Sequence, residues 1–204
     1  MKIKTYNLFT DLLTARKKGF SLIEMVVTTA LVAIITVVVS TFLVQSIKTY
    51  RIKRQSIDLE EKAAQVMRDF ERNTRAASKI IKADGNELVF LRYFDLTSAS
   101  PTQVRYFVSG NKLEVGLTEP FGPEPDVTYP SSNEKIDLII QDVTNPNTLF
   151  TYFNGSSDQL NLPLNATDIR MVGFSISLDK NGNLPPAAIT ESTEISLRNM
   201  KDNL

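Results

Sequence analysis

The chain has no cysteine, no histidine and no tryptophan. Disulfides, thiol nucleophiles, Ser–His dyads and nearly all zinc sites are thereby excluded. The missing cysteine says nothing about compartment, because a disulfide-free chain suits either side of a membrane. Charge of one sign is not in excess: 23 Lys and Arg stand against 23 Asp and Glu. The segment before Phe20 holds Lys2, Lys4, Arg16, Lys17 and Lys18 against Asp11, so the remainder is mildly acidic. No basic field for nucleic acid follows. Helix breakers are absent from one long interval: no glycine lies between Gly19 and Gly85, and the first proline is Pro101. An interval without either breaker permits one long helix.

One stretch lacks charge altogether. Met25 to Val44 is uncharged and predominantly apolar, and as a helix it spans about 30 Å, the thickness of a bilayer core. It is preceded by Lys17-Lys18-Gly19-Phe20-Ser21-Leu22-Ile23-Glu24. A carboxylate carried to the middle of such a segment costs roughly 2.5–3.5 kcal/mol, so Glu24 needs an escape to the interface or a partner. Arg16, Lys17 and Lys18 precede the segment, and Lys48, Arg51, Lys53 and Arg54 follow it. A count of positive charge therefore leaves the orientation undecided.

Beyond the membrane-length segment, apolar residues recur at Ile52, Leu59, Ala63, Val66, Met67, Phe70, Ala77, Ile80 and Ile81. Spacings of three, four and seven predict one helical face. The expected helix runs from Phe20 to about Lys82, with Gly85 as the stop signal. Short β-branched and aromatic runs follow: 87–93, 103–109, 112–118, 136–141, 149–153, 169–178 and 192–197. Gly110-Asn111 reads as a two-residue hairpin turn. The alternation around Gly173 suggests a half-buried strand with a bulge there. Residues 119–134, with Pro120, Pro123, Pro125 and Pro130, read as an irregular surface loop. The expected fold class is α+β, a long N-terminal helix packed on an antiparallel β-sheet domain. Its divisions are an N-terminal segment at 1–19, which the resemblance described below implies is a leader, a transmembrane half-helix at 20–46, an amphipathic half-helix at 47–82 and a β-rich domain at 83–204.

Several features invite a chemical reading. Asp179-Lys180-Asn181-Gly182-Asn183 alternates oxygen ligands as calcium loops do, but lacks EF-hand spacing and a closing Glu, so a surface turn is the better reading. Asn154-Gly155-Ser156 and Asn165-Ala166-Thr167 fit the glycosylation triplet, which chance produces easily. No spacing singles out a Ser–Lys pair. Glu60-Glu61 reads as a solvated helix face. Tyr93, Phe94, Tyr106, Phe107, Tyr152 and Phe153 read as core packing rather than a stacking platform. No catalytic residue, cofactor or metal is expected.

At residues 19–24 the chain resembles the type IV pilin and pseudopilin superfamily: Gly, Phe, a polar residue, two apolar residues, then Glu. The resemblance implies cleavage between Gly19 and Phe20 by a membrane prepilin peptidase, methylation of the new Phe20 amine, and an assembly role for Glu24. In one straight helix that amine would reach its own Glu24 at i, i+4 spacing. In a staggered filament it would reach the carboxylate of a neighbouring copy. The implied partners are the peptidase, other pilins or pseudopilins, an assembly platform with its ATPase, and membrane lipid. The implied location is the inner membrane, C-terminal part outside the cytoplasm, then a surface pilus or periplasmic pseudopilus. Many members carry Gly or Pro within the membrane half, and many close a C-terminal disulfide; this chain does neither. Arg68-Asp69-Phe70-Glu71-Arg72, Val104-Arg105-Tyr106-Phe107 and Ile195-Ser196-Leu197-Arg198-Asn199 resemble J-type minor pseudopilins. The other reading of the residues is a single-pass anchor carrying an extracytoplasmic binding or enzymatic domain.

Overall fold

The computed structural model describes residues 19–95, 98–123, 125–145, 148–162, 164–180, 182 and 185–197. The fold is α+β. A single helix, α1 (Leu22–Arg75), is followed by eight strands: β1 (Ala77–Ala83), β2 (Glu87–Arg92), β3 (Thr102–Ser109), β4 (Lys112–Thr118), β5 (Lys135–Gln141), β6 (Phe150–Phe153), β7 (Met171–Leu178) and β8 (Ile189–Ser196). The chain divides into two compact units, Met1–Tyr50 and Arg51–Leu204, with α1 contributing to both.

In the second unit α1 presents Leu59, Ala63, Val66, Met67, Phe70 and Thr74 as its buried residues. Their spacing of three and four residues puts them on one stripe, which the strands cover. The strands form two antiparallel meanders, β1-β2-β3-β4-β5 and β6-β7-β8. Gly110 and Asn111 close the β3–β4 hairpin, with Ser109 opposite Lys112, as the turn signal predicts. The two sheets separate at Asp142, whose left-handed φ of 68° turns the chain out of β5. Asp is among the few non-glycine residues that accept this conformation. Val143 then bridges Leu178 at the end of β7.

The helix ends at Arg75, not near Lys82 as its periodicity suggests. Residues 77–83 are strand β1, and Gly85 lies in the β1–β2 turn, where its carbonyl accepts from the Leu149 and Phe150 amides at 2.9 and 3.0 Å. The physical reason lies in the register. Ala77, Ile80 and Ala83 face Arg92, Phe90 and Leu88, with a register shift between Ala77 and Lys79 and another between Ile80 and Lys82. Each shift adds a residue to the strand, so an alternation of two becomes an apparent spacing of three. Ile81, expected on the helical core face, is exposed, while Ile80 is buried.

Gly173 is not at a bulge. Its strand pairs without interruption on both sides, opposite Thr151 of β6 and Glu194 of β8. A Cβ at this position would lie 2.3 Å from Thr151 Oγ1 and 3.2 Å from Phe153 Cε2. The glycine is required by the packing of its neighbours, not by backbone conformation. The proline-rich segment 119–134 is partly closed on itself, with Phe121 and Thr128 exchanging two backbone bonds of 2.9 Å.

Candidate functional site: the N-terminal segment

Gly19, Phe20 and Ser21 precede the helix and are exposed. The first helical bond runs from the Met25 amide to the Ser21 carbonyl at 3.1 Å, which makes Ser21 the N-cap residue. Glu24 is the acidic residue of the first turn. A carboxylate there is favoured by the helix dipole, by about 0.3–1 kcal/mol where solvent reaches it. Phe20 lies outside the helix, so helical i, i+4 geometry does not bring its nitrogen to Glu24. Among the described residues the Glu24 side chain makes no ion pair.

The side chains that follow are apolar on every side of α1. Phe20, Leu22, Ile23 and Met25 through Ile47 expose their large apolar residues to roughly half or more of their full extent. A helix apolar all round demands an apolar environment all round. The four threonine hydroxyls of this stretch are already satisfied. Thr28, Thr29, Thr36 and Thr41 donate their hydroxyls to the carbonyls of Glu24, Met25, Val32 and Val37 at 2.6–2.9 Å. Hydroxyls bonded back to their own helix need no water, which is the condition for lying in hydrocarbon. The helix is long and apolar enough to cross a membrane, and no Gly or Pro interrupts it.

Gly19 differs from the packed glycines. Among the described residues a Cβ at residue 19 would meet no atom within 4 Å, and its φ is not left-handed. Nothing among the described residues requires glycine there.

Residues 14–40 match the prokaryotic N-terminal methylation motif. The match contains Gly19, Phe20, Ser21 and Glu24, and it ends within the apolar helix. It supports a type IV pilin-like chain, processed as a prepilin and anchored in a membrane before it enters a filament. No curated protein matches the chain.

The second unit places the remaining candidates. Asn154 is a turn former: its side-chain oxygen accepts from the Ser156 and Asp158 amides, both at 2.9 Å. Asn165 caps a short 3-10 turn by accepting from the Thr167 amide at 3.4 Å. Both triplets thus have structural work. Asn181 and Asn183 lie outside the described residues, as do the leader up to Lys18 and the Arg198-Asn199 end of the C-terminal motif. No metal-holding group of acidic residues occurs among the described residues. Glu60 and Glu61 are exposed. The aromatics divide: Tyr106 and Tyr152 are core, whereas Tyr93 and Phe94 are about half exposed. Phe94 and Phe107 instead carry the guanidinium groups of Arg92 and Arg105 over their rings, at 4.4 and 4.0 Å.

Two polar networks are invisible in the linear sequence because their members come from different elements. In one, Arg92 of β2 donates to Asn73 of α1, and Asn73 donates to the Tyr106 hydroxyl at 2.6 Å. Burial lowers the Arg92 pKa and raises that of Tyr106. In the other, Glu87 accepts from Lys82 and from Arg105 Nε, the latter at 2.5 Å, while Arg105 Nη1 reaches Glu134 at 3.3 Å. The Glu134 carboxylate lies over Gly116, where a Cβ would stand 1.9 Å from its oxygen.

Burial by itself would raise the Glu87 carboxyl, but the bonds from Lys82 and Arg105 outweigh it and hold the group below its usual range. With the folded value depressed, the unfolded chain takes up the proton first. Stability linked to Glu87 is complete above the unfolded value and is lost as pH falls through the folded one. The unfolding midpoint should therefore drop on acidification below about pH 4. Glu87→Gln should lower the midpoint at neutral pH and flatten its dependence in the acid range. Thermal melts at stepped pH measure this, and equal acid slopes in both proteins would contradict it.

Proposed function

We propose that the chain is a minor subunit, a minor pilin or pseudopilin, of a type IV pilus or of a related secretion or DNA-uptake filament. The observation that carries the reading is the junction at Gly19. A glycine that the described residues do not require stands beside an exposed Phe20, an N-capped helix start and a membrane-length apolar helix, all within the matched methylation motif. Such a junction is open to an enzyme that binds the segment, here a prepilin peptidase cutting between Gly19 and Phe20. Cleavage frees an amine at Phe20, which the same enzyme methylates. The apolar helix then exchanges lipid for the helices of neighbouring subunits, and the β-rich unit remains outside the helical core. The chain's role is assembly rather than catalysis. J-type minor pseudopilins are the subfamily its helix-end and hairpin motifs resemble. The partners are the peptidase, other pilins, and the platform and ATPase that drive assembly.

The Glu24 carboxylate and the Phe20 amine are the opposite charges of this segment. Because Phe20 precedes the helix, pairing between neighbouring copies is the better use of Glu24 than an internal i, i+4 contact. An isolated buried carboxylate is expensive, and a paired one is tolerated. Glu24→Gln should be cleaved and inserted normally but should incorporate poorly into filaments. Intact mass reports processing, and shearing followed by fractionation reports incorporation. A processing defect would move the role of Glu24 to the peptidase, and unchanged incorporation would leave it as an interfacial side chain only. For the reading as a whole, the mature N-terminus decides. A chain starting at methylated Phe20 supports it, and a chain keeping Met1 identifies a simple membrane anchor.

A further inference from the structure

We propose that strand β5 pairs along its free edge with β5 of a second copy of this chain, antiparallel and with Ile136 on the two-fold axis. The proposal concerns the β-rich unit alone and does not rest on the filament reading.

β5 ends the five-stranded sheet, with β4 on one side of it. Among the described residues no backbone bond reaches residues 135–141 from the other side. Such an edge is a row of unpaired amides and carbonyls that a further strand can meet. The other edges of the unit are poorer templates. β1 carries two shifts of register. The β6 edge is taken by the Leu160 amide and the Gln159 bridge. Neither β6 nor β8 exposes a large apolar side chain. β5 instead leaves Ile136 and Leu138 more than half exposed, at 52% and 54%. They alternate with Lys135 and Asp137, so the apolar pair lies on one face of the sheet and the charged pair on the other.

Charged residues along an edge deter random pairing. Here they also select one register. When a two-fold axis relates two antiparallel strands, residues equally far from the axis stand opposite each other on the same face. An axis through Lys135 or through Asp137 would put like charges opposite, which is destabilising. An axis through Leu138 would set the exposed Ile136 against Ile140, which lies beyond the register shift of β5 and is buried in the core. An axis through Ile136 brings Ile136 against its own counterpart and sets Lys135 opposite Asp137 of the second copy, twice over. Leu138 then lies diagonal to Ile136 of the second copy, within reach of a long side chain. Little inside the chain competes. Lys135 reaches Glu119 at 3.3 Å with both side chains 76% exposed, and such an exposed pair is readily exchanged. Asp137 makes no ion pair among the described residues.

The chain has no cysteine, so Ile136→Cys puts a single thiol on the proposed axis. Opposite Cα atoms of an antiparallel pair lie about 4.5–5.5 Å apart, within the roughly 4.4–6.8 Å that a disulfide spans. The full chain is oxidised in an excess of mild detergent micelles. Ile136→Cys should give a covalent dimer at least about tenfold faster than Ser192→Cys, an exposed position on the β8 edge. In the Ile136→Cys chain, Lys135→Asp or Asp137→Lys makes the facing pairs like-charged and should slow cross-linking about tenfold. An equal mixture of those two chains should recover the original rate, because opposite charges again meet at both pairs. Equal rates for Ile136→Cys and Ser192→Cys overturn the proposal and assign association to the apolar helices. A mixture that stays slow overturns it as well, because the register would then be wrong. Sedimentation of the two charge variants with Ile136 retained gives the same readout without a thiol: monomers apart, a dimer when mixed. Monomers in that mixture overturn the pairing even if Ile136→Cys disturbs the fold.

Discussion

Replacing Phe70 by alanine is expected to be among the most destabilising single changes in the β-rich unit. Phe70 is fully buried. Its ring meets Tyr106 of β3 edge-on at 5.0 Å, Phe174 of β7 at 4.3 Å and Phe150 of β6 at 5.7 Å. It therefore joins the helix to both sheets at once. Truncation removes the transfer energy of the ring and leaves a cavity between three elements that cannot all close on it, a loss of about 3–5 kcal/mol. For a unit of this size the melting temperature should fall by roughly 10 °C. Near-ultraviolet circular dichroism of the chain in mild detergent follows the packing of the buried tyrosines. A loss below about 0.5 kcal/mol, the usual scale for surface changes, would mean that the stripe does not carry the core.

Phe70 was legible in the sequence because the helix that bears it keeps its period. Leu59, Ala63, Val66, Met67 and Phe70 repeat at helical spacing, and all are buried. The uncharged run was legible for the opposite reason: no period is needed where every side of a helix meets hydrocarbon. Strands β2 to β8 showed as β-branched runs between turn signals. Legibility failed where two rules gave the same pattern. Two register shifts gave β1 a spacing of three, and no glycine or proline marked the boundary after Arg75. The division into two sheets was also hidden, because it depends on a left-handed Asp142 and a distant bridge from Val143 to Leu178. At Gly173 a glycine within a strand suggested a bulge, whereas it is the approach of Thr151 and Phe153 that excludes a side chain. The ionic network around Glu87 joins β1, β2, β3 and the residue before β5, a set no local pattern collects.

Gly19→Val is expected to abolish maturation. The contrast among the glycines sets the scale of the effect. At Gly173 and Gly116 an added Cβ would collide with neighbouring side chains, and the cost would appear as lost stability. At Gly19 an added Cβ meets nothing among the described residues, and the position precedes the helix, so a β-branched residue pays no helical penalty there. The valine chain should fold, insert and melt like the parent. Its penalty falls on the peptidase, which must seat the residue before the scissile bond in a site matched to glycine. A clash of two methyl groups in a closed site costs about 1–3 kcal/mol even where neighbours can give. It also displaces the bond from the attacking group, and a displacement on the order of 1 Å can slow a reaction about a hundredfold. Gly19→Ala, with a single methyl, should fall between the two. Intact mass of the membrane fraction reads the outcome directly, since uncut chain retains the leader and lacks the methyl group on Phe20. Melting of the β-rich unit, measured alongside, must be unchanged for the loss to be assigned to cleavage. Normal maturation of the valine chain would show that no size-selective enzyme acts at this bond. Glu24 and the apolar helix would then have to be explained as an anchor alone.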